Sequence, residues 1–301
     1  MSEAWRYPDV LAPDDGAVPR ISVIVSAYRR PDLLELALRG FARQDDRRFE
    51  LIVADDGSGP EVRATALRVA RETGLEGMHL WHPDAGFRKT TILNRAILAA
   101  RGDYLLFTDG DCVPRADLVA VHRRLARPRC FLAGGCLRLP AAVTGAIGPE
   151  EIESARVTDL RWLREQGWRP GRRALRLACT GRLAALLDRV TSTAPDFQGN
   201  NASAWRDELL AVNGFDCDMG YGGEDRVVGF RMVSAGARAV QVRHRAITMH
   251  LHHEKPYRVE AAVDRNHRRI RAARRSGERR APLGIAELPH DPSFRITRLT
   301  R

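Results

Sequence analysis

No run of apolar residues in this sequence approaches the roughly 18 that a membrane-spanning helix needs, and Met1 to Arg20 carries no signal-peptide core, so a cytoplasmic location is expected. Cysteine is sparse. Cys112, Cys130, Cys136, Cys179 and Cys217 are odd in number and form no C-x-x-C pair, which argues against a disulfide framework or a zinc cage and leaves them as small hydrophobes. Glycine-rich phosphate loops are missing too. No G-x-G-x-x-G follows a strand-like run, so a dinucleotide oxidoreductase lacks its fingerprint. In Gly86-Phe87-Arg88-Lys89-Thr90-Thr91, Pro83 and Arg88 stand where a P-loop requires its two glycines.

Lysine is nearly absent: only Lys89 and Lys255 occur, and every other basic residue is arginine. With 49 basic and 38 acidic residues in 301, the formal charge is +11, but it is unevenly spread. Arg161 to Val190 holds eight arginines against Glu165 and Asp188, and Arg258 to Arg280 holds nine against Glu260, Asp264 and Glu278. These two windows carry the whole surplus, and the remainder of the chain is close to neutral. A nucleic-acid protein basic throughout does not fit that distribution, and the chain lacks the aromatic-rich strands such proteins stack bases on. No nucleic-acid partner is expected.

What is present is an alternation. Ile21 to Tyr28 and Phe49 to Ala54 are short β-branched runs bounded by turn residues, which marks them as strands buried on both faces. Asp103 to Thr108 is a third. Helical patterns occupy Asp32 to Gln44, Glu61 to about Thr73, Thr90 to Ala100 and Arg115 to Leu125. Such a rhythm specifies an α/β fold with a mostly parallel central sheet and helices on both faces. Ligands of such sheets bind beyond the carboxyl ends of the strands, where Asp55-Asp56 and Asp109-Gly110-Asp111 would lie. Further strands are expected at Cys130 to Leu139 and Ala246 to His253, separated by an Arg- and Trp-rich helical stretch and a Gly-rich acidic loop from Asn213 to Asp225.

Two carboxylates flanking a glycine at a strand end can face one hard cation, although the same turn also suits a solvated loop. Glu224-Asp225 likewise suits either chemistry or a helix N-terminus, where the macrodipole favours acidic residues. On a strand His250 and His252 share one face while Met249, Leu251 and His253 share the other. Neutral imidazole can join oxygen ligands on Mn2+.

The order ISVIVSAYRRPDLL, LIVADDGS, GFRKTTILNRAI and GDYLLFTDGDCVP resembles the family 2 glycosyltransferases, enzymes of the glycosyltransferase A fold. Asn200 to Met232 is similar to the acceptor-side segment of the β-1,4-galactosyltransferases and the bacterial chondroitin-polymerase type enzymes. The resemblance implies a metal-dependent inverting hexosyltransferase that moves a sugar from a nucleotide-diphosphate donor, UDP-linked, to a hydroxyl of a cell-surface glycan or lipid-linked saccharide. It implies Mn2+ or Mg2+ as cofactor. By motif, Ser26, Ala27, Arg30 and Asp56 would hold the nucleoside, and Arg88, Lys89 and Asn94 would lie beside the diphosphate. Asp109, with Gly110, would contact ribose and metal, Asp111 would bind the metal directly, and His250 or His252 would complete its ligands. Asp225 would be the base and Glu224 would hold sugar hydroxyls, with Asn200, Asn201, Tyr221 and Gly223 on the acceptor side.

This reading divides the chain into a nucleotide-sugar half (1–140), a helical insertion (141–196), a catalytic and acceptor half (197–256) and a basic helical tail (257–301). The insertion mixes arginine with Trp and Leu, which suits either a lid packed on the core or contact with an anionic membrane surface, at the inner face of the membrane. A nucleotidyltransferase on a similar sheet is the competing enzyme class, but it would need a Gly-rich loop after the first strand, and Ser26 to Pro31 has no glycine. A basic protein binding nucleic acid or an anionic surface would leave the acidic turns unexplained.

Overall fold

The structure is a computed structural model that describes residues 18–191, 193–254 and 260–300. Lys255 and Arg258, and with them the expected boundary between the catalytic half and the tail, lie outside the described residues. In chain order the first elements are β1 (Ile21–Ala27), α1 (Pro31–Ala42), β2 (Phe49–Asp55), α2 (Pro60–Thr73), β3 (Gly77–Trp81), α3 (Lys89–Ala99), β4 (Tyr104–Asp109), β5 (Cys112–Pro114), α4 (Leu118–Leu125), β6 (Cys130–Ala133) and β7 (Gly135–Arg138). Short helices follow: α5 (Ala141–Gly145), α6 (Pro149–Glu153), α7 (Leu160–Glu165), α8 (Leu175–Ala178) and α9 (Gly181–Val190). The remainder is β8 (Ala202–Trp205), α10 (Arg206–Ala211), α11 (Glu224–Ser234), β9 (Arg238–Gln241), β10 (Ile247–His250), α12 (Glu260–Ser276) and β11 (Arg295–Arg298).

Eight strands form one sheet in the order β11-β3-β2-β1-β4-β8-β6-β9. β1 pairs in parallel with β2 and β4, and β2 with β3, while β8 runs antiparallel to β4 and β6. Side chains alternate across β1. Val23 and Val25 pack on Leu34, Leu38 and Phe41 of α1 and Val62 and Val69 of α2, whereas Ile24 packs on Ile92 and Ile97 of α3. Both faces are therefore covered, which is why these strands read as continuous apolar runs. Phe107, Phe131, Phe197 and Phe215 meet edge to face beneath the α11 side, with centroids 5.5 to 6.5 Å apart.

Three expectations are corrected. Cys130 to Leu139 is not one strand: β6 belongs to the large sheet and β7 to a second sheet of order β5-β10-β7. The break falls at Gly134, where a Cβ would lie 2.2 Å from Cγ of Asn201, a buried side chain bonded to Gly135 O at 2.9 Å and His122 Nε2 at 2.9 Å. Gly134→Ala should therefore destabilise the protein by about 2 kcal/mol, within the overpacking range, as read from the shift of a denaturant midpoint; an unchanged midpoint would refute the packing account.

The late strand is also shorter than expected, since β10 stops at His250 and residues 251–254 belong to no strand. And the tail is more than a helix. After α12 it returns as β11, antiparallel to β3. Asp216 is tied to Arg231 of α11 at 2.9 Å and to Arg269 of α12, while Arg231 also meets Glu278 at 2.6 Å. Among the described residues no helix is long and apolar enough to cross a membrane.

The insertion divides in two. Ile152, Val157, Leu163 and Trp168 pack on Leu33, Leu36 and Met249, while α9 packs differently, turning Asp188 inward.

Candidate active site

A cavity of about 1470 Å3 opens where β1, β2 and β4 end, lined on one side by these strand ends and on the other by the loop before α11 and by α12. Pocket volumes for drug-sized ligands are roughly 300–1,000 Å3, so this one has room for two substrates side by side.

On the sheet side Asp109 is the hub. Its Oδ1 accepts a hydrogen bond from Ser26 Oγ at 2.7 Å and one from Lys89 Nζ at 2.6 Å. Lys89 opens α3, so strand and helix converge on one carboxylate. Burial would lower the Lys89 pKa, but Asp109, Glu224 and Asp225 together hold it far above the ordinary lysine value, so it remains an ammonium. Gly110 follows with its N–H on Ser26 O at 2.7 Å, an approach so close that a Cβ there would stand 3.0 Å from that oxygen. Asp56 faces the cavity with Oδ1 2.8 Å from His82 Nε2 and Oδ2 accepting the Arg88 N–H at 3.0 Å. Burial raises its pKa against these bonds.

Next to Asp109, the ligand-type atoms of Asp111, His250 and His253 lie within 4.8 Å of one another. His253 Nε2 is 2.6 Å and His250 Nε2 3.7 Å from Asp111 Oδ2, and the two imidazoles stack with centroids 5.5 Å apart. Burial alone would raise the Asp111 pKa, but the two histidines hold it down to about 2. One carboxylate from the turn between β4 and β5 and two imidazoles from the end of β10 and the segment after it make a donor set that fits a divalent transition ion such as Mn2+.

Opposite stands the start of α11. Gly223 caps it at φ +90°, a left-handed conformation that favours glycine, and a Cβ there would strike Ile270 of α12. This turn delivers Glu224, whose Oε2 accepts the Gly222 N–H at 2.9 Å, and Asp225, whose oxygens accept the N–H groups of Gly199 at 2.8 Å and Arg226 at 2.7 Å. Burial and the adjacent Glu224 charge push Asp225 up to about 7, outweighing Lys89. A carboxyl poised there can exchange a proton near neutral pH.

Most of the expected residues share this cavity: Ser26, Ala27, Arg30, Asp56, Lys89 and Asp109 to Asp111 on one side, Asn200, Tyr221 and Gly223 to Asp225 on the other, with His250 between. Four do not. Asn94 is buried and pins the backbone N–H and O of Phe215, both at 2.8 Å, so it fixes the loop before α11. Asn201 is consumed at the crossover between sheets. The Arg88 guanidinium turns away to Pro83 O. His252 is exposed, its N–H on Thr144 Oγ1 at 2.8 Å, because the strand and its alternation end at His250, and His253 lies against Asp111 instead. Sequence reasoning also missed Arg138 of β7 and Arg265 of α12, which line the cavity. Arg138 stands level with His250 in the parallel pairing of β10 and β7, a register the sequence does not announce.

Residues 22–130 match the family described as Glycosyl transferase family 2. The validoxylamine A glucosyltransferase of Streptomyces hygroscopicus subsp. limoneus is 28% identical over 243 residues, which cover 75% of this chain and 51% of that one. The chain thus spans about half the length of the curated relatives it matches. Among solved structures, a Pyrobaculum calidifontis mannosyltransferase in complex with GDP-Man and Mn2+ aligns with a TM-score of 0.55 at 22% identity, over 90% of this chain and 66% of that one. The glucosyl-3-phosphoglycerate synthase of Mycobacterium tuberculosis aligns with a TM-score of 0.50 at 20% identity, over 86% and 80%. These likenesses bear on the fold, which is the glycosyltransferase A type.

Proposed function

We propose that this chain, which carries a family 2 glycosyltransferase domain in residues 22–130, transfers a hexosyl group from a nucleotide-diphosphate sugar to a hydroxyl with inversion at the anomeric carbon. The observation that carries the reading is Asp225, a carboxyl tuned to about 7 that faces the same cavity as Lys89, Asp109 and the Asp111–histidine cluster. In the forward step Asp225 takes the acceptor hydroxyl's proton while that oxygen attacks the anomeric carbon from the side opposite the diphosphate. Glu224 orients sugar hydroxyls and keeps Asp225 basic. Lys89 places a fixed positive charge where the leaving group develops negative charge.

Asp111, His250 and His253, with Asp109 beside them, would hold Mn2+ or Mg2+, which when bound neutralises the diphosphate oxygens. Asp56, a carboxylate acceptor facing the strand ends, suits the imide N–H of a uracil, and UDP is the proposed nucleotide. Residues 1–140 then serve the donor and 197–256 the acceptor. The neighbour solved with GDP-Man and Mn2+ supports a metal and a nucleotide sugar, and the relative named for glucosyl transfer supports a hexose. For the acceptor we take a glycan or lipid-linked saccharide, which puts the enzyme at the inner face of a membrane.

Calorimetric titration with UDP, GDP, CMP and TDP, each with Mn2+ and then with EDTA, tests the donor. UDP should bind with Mn2+ and lose at least about tenfold in affinity in EDTA, in line with losses seen when metal sites are compromised. Metal-dependent binding of another diphosphate would replace UDP in the proposal. Binding of none would overturn it.

A further inference from the structure

α9 is inside out for a helix facing water. It reads Gly-Arg-Leu-Ala-Ala-Leu-Leu-Asp-Arg-Val, yet the residues it buries are Ala184 and Asp188. Leu183, Leu186 and Val190 stand 53%, 52% and 65% exposed, and their spacing of three and four puts them in one row. Leu175 at the start of α8 adds another exposed apolar side chain, at 46%.

Asp188 enforces this orientation. It accepts the His244 N–H at 2.8 Å, lies 3.0 Å from His244 Nδ1 and takes Arg245 Nε at 2.7 Å. Rolling the helix to bury its leucines would break all three contacts and strand the Arg245 charge, a penalty of the kind that makes unpaired buried ions so costly.

The charge around the row has one sign. From Arg169 to Val190 there are six arginines and one acidic residue, the buried Asp188. Arg172, Arg173, Arg182 and Arg189 are exposed. Arg182 and Arg189, seven residues apart and so on one stripe of the helix, border the apolar row along one side. Apolar side chains edged by guanidinium groups, with no exposed carboxylate in the segment, complement anionic headgroups over an acyl boundary. We infer that α9 and the start of α8 form a docking face for an anionic lipid bilayer. The face adjoins a strand of the cavity wall: Arg176 of α8 donates to Cys136 O at 3.3 Å, two residues before the cavity-lining Arg138. Docking would then bring the cavity near a lipid-linked acceptor, a consequence that rests on the transferase reading, whereas the docking does not.

Co-sedimentation of the full chain with vesicles of phosphatidylglycerol and phosphatidylcholine in equal parts, against phosphatidylcholine alone, tests the inference without any donor present. Binding should favour the anionic vesicles at least tenfold and weaken on raising salt from 0.1 to 0.5 M. L183E/L186E should reduce it a further tenfold with an unchanged melting temperature and unchanged metal-dependent nucleotide binding. R182Q/R189Q, which leaves the apolar row intact, should reduce the anionic preference alone. Equal binding by wild type and L183E/L186E, or no binding to either vesicle, overturns the assignment. So does a wild-type dimer in sedimentation velocity that L183E/L186E makes monomeric, since a second copy would then own the face. Failure of nucleotide binding with intact vesicle binding would sink the transferase reading alone.

Discussion

Asp225→Asn should lower the transfer rate by about 10²–10⁴-fold, the range associated with loss of a general base, while donor affinity stays within about threefold. The same variant makes a prediction that needs no substrate. Asp225 is pushed up to about 7 in the folded protein by burial and Glu224, whereas an unfolded aspartate titrates near 3.9. Between those values the folded state holds a proton that the unfolded state has released, so this group's contribution to stability falls as pH rises from about 4 to about 7. Asparagine cannot ionise, so the melting temperature of the variant minus that of wild type should climb by a few degrees from pH 4.5 to pH 7.5, measured in EDTA. The lost bond to the Gly199 or Arg226 N–H shifts both ends of that range alike and leaves the slope untouched. A flat difference would mean Asp225 titrates as an ordinary carboxylate, and the acid limb of the kcat/KM profile would then move well below pH 7.

His253→Ala should weaken Mn2+-dependent nucleotide binding by at least tenfold, while His252→Ala leaves it within about twofold. The contrast rests on placement: His253 lies 2.6 Å from Asp111 and stacks on His250, whereas His252 is exposed beside Thr144. Losing one ligand of a three-residue set costs more than losing an outer-shell partner, for which 10–100-fold is typical. Asp111→Ala should be at least as severe. Equal effects of His252→Ala and His253→Ala, or a loss confined to His252→Ala, would show that His253 is not the ligand and that the segment after His250 rearranges when metal and nucleotide bind.

Much of this architecture was legible because it is local. Buried parallel strands announce themselves as β-branched runs, and the acidic turns that follow them must lie at the sheet's carboxyl edge, where Asp56, Asp109 and Asp111 are found. Asp225 was legible for a similar reason, as a carboxylate after paired glycines at a helix start. What failed depended on long-range contacts. Period-two reasoning placed His250 and His252 together because nothing in the run Thr248-Met249-His250-Leu251-His252-His253 reveals that the ladder ends at His250. Asn94 and Asn201 sit inside recognisable motifs, but their amides are claimed by Phe215, Gly135 and Ala246, backbone groups brought close only by the finished fold. Arg138 and Arg265 entered the cavity by strand register and by the return of α12, neither of which has a local signature.

The pairing of β11 with β3 joins Arg298 to Met78 and Arg295 to Trp81, so the last strand of the described chain closes on one that follows only β1, α1, β2 and α2. Until that pairing forms, β3 is a bare edge of the parallel sheet, presenting unpaired backbone groups beside Met78 and Leu80, a template for strand exchange between molecules. Contacts this distant in sequence form late. Once in place, β11 becomes the new edge, and it shows water Arg295 and Arg298, charged side chains of the kind that discourage further strands from adding. The same short strand thus leaves the nascent protein open to aggregation and guards the finished one against it.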